Sequence, residues 1–371
     1  MIAVTSQQRG AELLAIENLA VSFAAGQSRV RVIQDVSLRV GPGMRLGIVG
    51  ESGCGKSVTS LAVMGLLGRG GKVEHGSVVF GGRDLLALPE RQLRQVRGRE
   101  IAMIFQDPMS SLNPVLTIGE QITEAIRAHQ RARRHDANAR AAQLLQMVGI
   151  PAGEAALRRY PHEFSGGMRQ RVMIATALAL SPKLLIADEP TTALDVTIQA
   201  QVLELMGRLV KDAGAALMLV THNLGVVAGM TERVAVMYAG RIVEEASTPD
   251  LFGRPAHPYT VGLLHSLPGV QTRDSDLVPI PGMVPQPGHE PAGCAFAPRC
   301  RWRLPRCWTE QPQLERVEQI AGDQLAAGHR VACHNPVAPE EAGPGFPIRA
   351  LPFVPPPPGI TDFTGQSETA Q

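Results

Sequence analysis

The chain has 371 residues, of which 44% are hydrophobic but only 4% aromatic, so its core must be built mainly from aliphatic side chains. The net charge of +2 argues against a strong general attraction to nucleic acid. No stretch approaches the roughly 18 uncharged apolar residues of a membrane span, and the start at Met1–Ser6 lacks the features of a signal peptide. We therefore expect a soluble, cytosolic protein that meets a membrane only through partners.

Apolar segments separated by glycine turns predict strands in the first hundred residues. They lie at Leu13–Val21, Val30–Val40, Leu46–Val49, Gly76–Phe80 and Ile101–Phe105. Residues 107 to 180 turn helical, because side chains such as Ile118, Ile122 and Ile126 recur on one helix face. Apolar runs at 183–187, 216–220 and 233–237 then suit strands buried on both faces. The alternation predicts an α/β fold with an inserted helical region.

The composition changes near residue 265. Proline becomes frequent, four of the five cysteines follow, and the chain ends in Pro355–Pro358 and a polar segment over 361–371. This pattern predicts a separate C-terminal appendage that ends in an extended, disordered tail.

A glycine loop from Gly50 to Ser57 joins one of the predicted strands to a helix. Its glycines allow successive N–H groups to turn towards anionic oxygens, and the helix N-terminus adds to that field. Lys56 is placed to reach the β- and γ-phosphates, and the Ser57 hydroxyl suits Mg²⁺. An ordinary glycine turn is the alternative, but strand, loop, Lys-Ser pair and helix together favour nucleotide binding.

Two carboxylates, Asp188 and Glu189, end the apolar strand that begins near Lys183. At such a position Asp188 can hold Mg²⁺ through water, and Glu189 can polarise the water that attacks the γ-phosphate. Acidic residues at a strand end are often simply solvated, but the phosphate loop upstream favours the catalytic interpretation.

Ser165, Gly166 and Gly167 open a predicted helix between these two motifs. A serine-capped helix start with two glycines is an ordinary structural feature, and it is also a second surface able to bind phosphate. Since the chain has its own loop for the γ-phosphate, we expect this surface to serve a nucleotide held by another subunit.

Taken together, these motifs resemble the ATP-binding-cassette (ABC) ATPases, in the family's order and approximate spacing over residues 12–245. The resemblance implies that Gln106 senses the γ-phosphate and Mg²⁺ and links to a membrane partner. It also implies that Asp195 contacts the opposite subunit and that His222 contacts the γ-phosphate. Phe23 stands where the family usually has an aromatic that stacks on adenine, with a strand core residue as the alternative.

The resemblance extends to a complete set of ligand contacts. Catalytic roles fall to Glu189, His222 and Gln106, and Mg²⁺ to Ser57, Gln106 and Asp188. Nucleotide contacts fall to Phe23, Gly50, Ser52, Gly53, Cys54, Gly55, Lys56, Ser57, Val58, Ser165, Gly166, Gly167 and Asp195. The Cys54 side chain is best interpreted as small and incidental. Met168 and Asn223 depart from the residues common in the family, where Gln and Asp are usual, and we expect activity to survive both.

Longer matches over Phe105–Pro114, Pro161–Gln170 and His257–Thr260, together with the cysteine-rich end, resemble the ATPase subunits of dipeptide and oligopeptide importers. The implied fold is a P-loop NTPase core with an antiparallel β subdomain and an inserted helical subdomain at 107–180, all within residues 12–265. A cysteine-rich extension at 266–335 and a proline-rich tail at 336–371 follow. The implied assembly has a second, related ATPase subunit, two transmembrane permease subunits and an extracytoplasmic binding protein, which places the chain on the cytoplasmic face of the membrane.

Four cysteines are clustered in the extension, at Cys294, Cys300, Cys307 and Cys333. Persistent disulfides are disfavoured in the cytosol, whereas four thiolates can enclose Zn²⁺ or a [4Fe–4S] cluster. The spacing lacks the close Cys-x₂-Cys pairs usual for structural zinc, which favours the cluster. Four unrelated thiols are the remaining alternative.

The function expected from these features is ATP-driven uptake of di- and oligopeptides. The cargo could instead be nickel, glutathione or an oligosaccharide, because partner subunits select it. A soluble ABC ATPase acting on DNA or the ribosome is a further alternative, but the chain has neither a second cassette nor a long heptad run. Basic clusters at 91–99 and 131–135 could touch acidic lipid headgroups, although a solvated helix face explains them better.

Overall fold

A mixed sheet organises the fold in this computed structural model, which describes residues 12–107, 111–151, 153–192, 194–266, 279–317 and 328–342. Within these ranges the sheet has twelve strands. They are β1 (Leu14–Ala25), β2 (Ser28–Val40), β3 (Arg45–Val49), β4 (Gly71–Phe80), β5 (Arg83–Asp84), β6 (Ile101–Ile104), β7 (Leu184–Asp188), β8 (Ala216–Thr221), β9 (Arg233–Tyr238), β10 (Arg241–Ser247), β11 (Glu315–Arg316) and β12 (Arg330–Val331).

The parallel part of the sheet runs in the order β9, β3, β8, β7, β6. Its strands are nearly continuous apolar runs, because helices cover both faces; every residue of β7 and β8 is buried. Parallel strands end at one common edge, so the residues that follow Val49, Ile104, Asp188 and Thr221 are brought close together.

An antiparallel part lies beside it, in the order β5, β4, β1, β2. A single parallel pair, Asp35 with Arg241, joins β2 to β10. Strand β4 begins at Gly71, five residues before the predicted start at Gly76, and its first six residues are mostly exposed. That exposure explains why apolar patterning missed them.

The described residues form eleven α-helices around this sheet. They are α1 (Lys56–Val63), α2 (Glu90–Val96), α3 (Ile118–His129), α4 (Arg134–Met147), α5 (Gly153–Ala156), α6 (Gly166–Ala177), α7 (Val196–Asp212), α8 (Leu224–Met230), α9 (Thr248–Gly253), α10 (Pro258–His265) and α11 (Pro339–Ala342). The apolar face predicted for α3 is buried at Ile118, Ile122 and Ile126, in one cluster with residues of α4 and α6. No helix in the described ranges is both long and apolar enough to cross a membrane.

Residues from the C-terminal part of the chain pack against strands β9 and β10. Tyr238, Tyr259 and Phe296 form a buried aromatic cluster there, with ring centroids 4.7 to 5.4 Å apart. The Val337 amide donates to the Ala256 carbonyl (2.8 Å), so the segment 336–342 also contacts the described fold. The predicted tail beyond residue 342 lies outside the described residues.

Candidate active site

The phosphate loop lies between β3 and α1, as the sequence predicts, and two of its glycines are required by close contacts. A Cβ at Gly50 would lie 2.2 Å from the Met237 carbonyl oxygen. Gly55 has φ of +108°, and a Cβ there would meet the Ile33 side chain at 2.6 Å. The loop therefore folds tightly against β9 and β2, which only glycine permits.

Lys56 lies under this loop with 5% of its surface exposed. Its Nζ donates to the carbonyl oxygens of Gly50 (2.8 Å) and Glu51 (3.0 Å). The ammonium group is thus held against the backbone of the loop by weak neutral acceptors, which an anionic oxygen could replace with a stronger interaction.

Ser57 and Asp188 meet although 131 residues separate them in the chain. The Ser57 hydroxyl donates to Asp188 Oδ1 at 3.0 Å. Burial raises the pKa of Asp188, Ser57 and Lys56 oppose that rise, and the neighbouring Glu189 charge adds to it. The Ser57 hydroxyl and the Asp188 carboxylate are oxygen ligands of the kind that Mg²⁺ prefers.

Glu189 is surrounded by three side chains. Its Oε2 accepts from Gln106 Nε2 (2.9 Å) and Thr192 Oγ1 (3.1 Å), and its Oε1 lies 3.1 Å from His222 Nδ1. Burial alone would raise the pKa of Glu189, but His222, Thr192 and Lys56 hold it below its ordinary value. The two adjacent carboxylates therefore have pKa values shifted in opposite directions, as expected when neighbouring acidic groups serve different roles.

The second predicted phosphate-binding surface is built on helices α6 and α7. Ser165 caps α6, with its hydroxyl accepting from the Met168 amide (3.4 Å), and Asp195 caps α7 through the Ile198 amide (3.0 Å). Gly167 lies against α7, since a Cβ there would come within 2.6 Å of Ile198. Ser165 and Asp195 are both exposed, so this surface is accessible to another molecule.

Comparison with known proteins agrees with the function that this geometry indicates. Residues 33–192 match the ABC transporter family model, and residues 243–307 match the C-terminal region of oligopeptide/dipeptide transporters. The chain is 51% identical to the oligopeptide transport ATP-binding protein AppD of Bacillus subtilis, covering 81% of this chain and 92% of that protein. It is 48% identical to the oligopeptide transport ATP-binding protein OppD of Haemophilus influenzae, covering 80% of this chain and 91% of that protein.

A dimeric ATP-binding cassette in a post-hydrolysis state, bound to ADP and phosphate, has a similar fold. Its TM-score is 0.57 at 27% identity, covering 63% of this chain and 98% of that one. The chain belongs to the ATP-binding proteins of oligopeptide/dipeptide ABC transporters. The resemblance drawn from the sequence is confirmed, and so is the α/β fold with a mixed sheet.

The remaining predicted nucleotide contacts of this ABC protein differ in how far they are exposed. The Phe23 ring is half-buried against the core, and a Cβ at Gly71 would meet it at 3.0 Å. Ser52 is exposed and Val58 half-buried. Cys54 is fully buried below the loop, and burial raises the pKa of its thiol. Asn223, where the family often has Asp, caps α8 by accepting from the amides of Gly225 and Val226.

The four extension cysteines of this ABC protein surround one small cavity, which His257 and Trp302 also line. The structure thus brings together all four predicted residues, and the cysteines are free thiols. Within the described ranges, however, no group of three or more Cys, His, Asp or Glu side chains is arranged to hold a metal ion. The predicted metal site is therefore not present as a ready ligand set.

Sequence reasoning missed three residues that hold the phosphate loop and Glu189. Thr192 binds the carboxylate of Glu189. Tyr259 accepts a hydrogen bond from the Glu51 amide (2.8 Å), and Arg299 binds the Glu51 carboxylate. The last two lie 208 and 248 residues from Glu51, so no local pattern could indicate them.

Proposed function

We propose that this chain binds and hydrolyses ATP as the ATPase subunit of a membrane importer for di- and oligopeptides. The observation that carries the proposal is the convergence of Lys56, Ser57 and Asp188 with Glu189 at one sheet edge. The alternative of a soluble ABC ATPase is disfavoured by the match of residues 243–307 to the oligopeptide/dipeptide transporter C-terminal region.

The phosphate loop and Lys56 would bind the triphosphate. The buried Lys56 Nζ would exchange its two carbonyl acceptors for phosphate oxygens, a charge-assisted interaction that is stronger. Ser57, Asp188 and Gln106 would hold Mg²⁺, which supplies charge neutralisation between the β- and γ-phosphates. The hydrogen bond between the Ser57 hydroxyl and Asp188 Oδ1 (3.0 Å) supports this assignment for two of the three residues.

Glu189 would orient and polarise the attacking water. Its pKa lies below the ordinary value, so it is ionised at neutral pH and able to accept a hydrogen bond from water. Gln106 and His222 hold this carboxylate from two sides, and both are exposed enough to contact the γ-phosphate. Catalysis would consist mainly of positioning and electrostatics around the phosphoryl group.

A second ATPase subunit would complete each site. Ser165, Gly166 and Gly167 are exposed or half-buried at the start of α6 and would bind the nucleotide held by the other subunit's loop. The related cassette solved with ADP and phosphate is dimeric. We propose a related but distinct chain as the partner, with Asp195 at the contact between the two.

The permease subunits would dock in a groove next to Gln106. This groove has a volume of about 350 Å³ and is lined mostly by apolar side chains, among them Met103, Phe105 and Leu112. Phe105 is 39% exposed and lines this groove together with other apolar side chains, which suits a protein contact. A permease helix seated there would sense the position of Gln106 and so the state of the nucleotide.

The test is co-expression of the chain with permease and binding-protein subunits from the same organism, followed by co-purification and uptake of labelled peptides. We expect the chain to purify with two multi-spanning subunits and to support ATP-dependent uptake of di- or oligopeptides. Uptake of nickel, glutathione or an oligosaccharide instead would keep the importer and replace the cargo. Recovery of the chain without any membrane subunit would refute the transport function.

We further propose that the four-cysteine cavity holds a [4Fe–4S] cluster. Each sulfur is next to a backbone N–H donor: Phe296 and Ala297 for Cys294, Trp302 for Cys300, Leu304 for Cys307 and Asn335 for Cys333. Such donors stabilise thiolates bound to iron. Burial raises the pKa of Cys294 to about 11 and raises that of Cys300 and Cys333 as well, so these three thiols stay neutral without a cation. Because each iron of a cluster takes one cysteine, the four sulfurs need not converge on a single ion, as zinc would require.

Purification without oxygen tests this proposal by spectroscopy. We expect a brown protein with iron and sulfide near four atoms per chain and a broad absorption in the visible range. The Cys54→Ser variant should keep the colour, whereas Cys300→Ser should lose it. Colourless protein with one zinc per chain would replace the cluster by zinc, and metal-free protein would reject both.

A further inference from the structure

The C-terminal extension is joined to the phosphate loop by an ion pair between the buried Arg299 and the partly exposed Glu51. Arg299 Nη1 and Nη2 bind the two carboxylate oxygens of Glu51 at 2.7 and 3.0 Å, a bidentate arrangement. Glu51 is the second residue of the phosphate loop, whereas Arg299 lies in the one-turn helix Ala297–Arg299 of the extension. The contact therefore links two parts of the chain that have separate sequence motifs.

Arg299 is held rigidly on the side of the extension. Only 2% of its side chain is exposed, its Nε donates to the Pro281 carbonyl (2.8 Å), and its guanidinium lies beside the rings of Tyr238 and Phe296. Burial works against the charge, but Glu51 and Tyr238 outweigh it and raise the pKa of Arg299. This cation is thus fixed in place and always charged.

Glu51 is in an unusual position for a carboxylate, because it belongs to a loop that would bind a polyanion. Its backbone carbonyl accepts from Lys56 Nζ (3.0 Å), and its amide donates to Tyr259 (2.8 Å). An unpaired negative charge there would repel phosphate and attract Lys56 away from it. Pairing with Arg299 cancels that charge and fixes the backbone on which Lys56 rests.

We propose that Arg299 is a positioning residue for the phosphate loop, which neutralises Glu51 and so allows the loop to bind ATP. This inference rests on the proposed ATP site. It also gives the extension a role in nucleotide binding, because Arg299 belongs to the extension. The turn that carries Arg299 is closed by hydrogen bonds between Cys294 and Ala297 and between Ala297 and Cys300. Arg299, which pairs with Glu51, is therefore adjacent in sequence to Cys300, which lines the four-cysteine cavity.

The decisive experiment is a charge-rescue series measured by ATP binding with Mg²⁺ in the full-length chain. Arg299→Met should raise the Kd for ATP by about tenfold, because it leaves the Glu51 charge unpaired in the loop that binds the phosphates. Adding Glu51→Gln should restore the Kd to within about threefold of wild type, because the unpaired charge is then gone. Arg306→Met is the matched control, since Arg306 lies in the same extension, is exposed and contacts the His334 carbonyl rather than the loop; it should bind ATP as wild type does.

Melting temperature separates positioning from folding. If Arg299→Met melts well below wild type, Arg299→Lys with and without Glu51→Gln gives the same comparison, with an expected rise of about threefold. Wild-type ATP affinity in the Arg299 variants, or failure of Glu51→Gln to restore it, would overturn the inference. Lys56→Ala is the separate check on the ATP site itself: if it binds ATP normally, the proposed function fails, whatever Arg299 does.

Discussion

Among single residues, Glu189 carries a local cost in its backbone conformation. Its φ of +44° lies in the left-handed region, which a non-glycine residue adopts at a cost of about 1 kcal/mol or more. The backbone is held there by the Glu189 amide bonding to the Val220 carbonyl (2.8 Å) and by Thr192 donating to the Glu189 carbonyl (3.1 Å). The strain turns the side chain back towards Gln106 and His222, which is where a water-orienting carboxylate would have to be.

Glu189→Gln should abolish most ATP hydrolysis while leaving ATP binding intact. Glutamine keeps the size of the side chain but cannot accept a proton, so we expect kcat to fall by about 100-fold or more. The Kd for ATP should remain near the wild-type value, and single-turnover assays should recover uncleaved ATP from the protein. The exposed Glu204→Gln variant on α7 is the control and should hydrolyse ATP normally. Near-normal turnover by Glu189→Gln would refute the role assigned to this carboxylate.

The site residues were largely predictable because short motifs specify them. Ser57 and Asp188, and Gln106 with Glu189 and His222, each meet as the motifs imply. The pairing of Glu51 with Arg299 was not predictable, since it depends on how the extension packs on β9. The roles of these residues stay predictions until variants are measured.

Among the elements, the contact between α6 and α7 decides how the Ser165 surface is presented. Gly167 on α6 leaves no room for a side chain, because a Cβ would lie 2.6 Å from Ile198 Cγ2. That methyl belongs to a β-branched side chain, which cannot move aside by rotating about a flexible end. Helix spacing is therefore set by the absence of a side chain at one position.

Gly167→Ala should separate the two helices and lower the free energy of unfolding by about 1 to 3 kcal/mol, as overpacking does. Gly166→Ala is the matched control, since its nearest neighbour is Leu194 Cδ2 at an ordinary 3.4 Å. Chemical denaturation of both variants gives the comparison. Equal stability of the two would contradict the close packing of Gly167 on Ile198.

The strands were predictable where apolar side chains alternate with polar ones or form continuous runs, and less predictable elsewhere. The parallel strands β3, β7, β8 and β9 lie where apolar runs indicate them. Strand β10 was missed because its seven residues include two buried glutamates, Glu244 and Glu245, that read as surface residues. Their burial is explained by distant partners: His329 lies 2.7 Å from Glu244, and Arg233 lies 3.1 Å from Glu245.

For the whole molecule, the two surfaces proposed to bind different nucleotides begin at different helices, α1 and α6. Lys56 lies under the phosphate loop, where its Nζ donates to the Gly50 carbonyl, whereas Ser165 caps α6 by accepting from the Met168 amide. In the assembled importer the first would bind this chain's own ATP and the second its partner's. Variants at the two positions should then differ in whether this chain still binds its own nucleotide.

Photolabelling of this chain by azido-ATP in the purified complex distinguishes the two failures. Lys56→Ala should lose the label and reduce ATP hydrolysis, because it removes a charge-assisted phosphate contact worth about 2 kcal/mol or more. Ser165→Arg should keep the label within about twofold, since its own loop is intact, but should lower hydrolysis about tenfold by blocking the partner's nucleotide. Lys211→Ala, at the exposed end of α7, should change neither measurement. Loss of the label in Ser165→Arg would show that the α6 surface binds this chain's own nucleotide, and full activity in that variant would remove the surface from the site altogether.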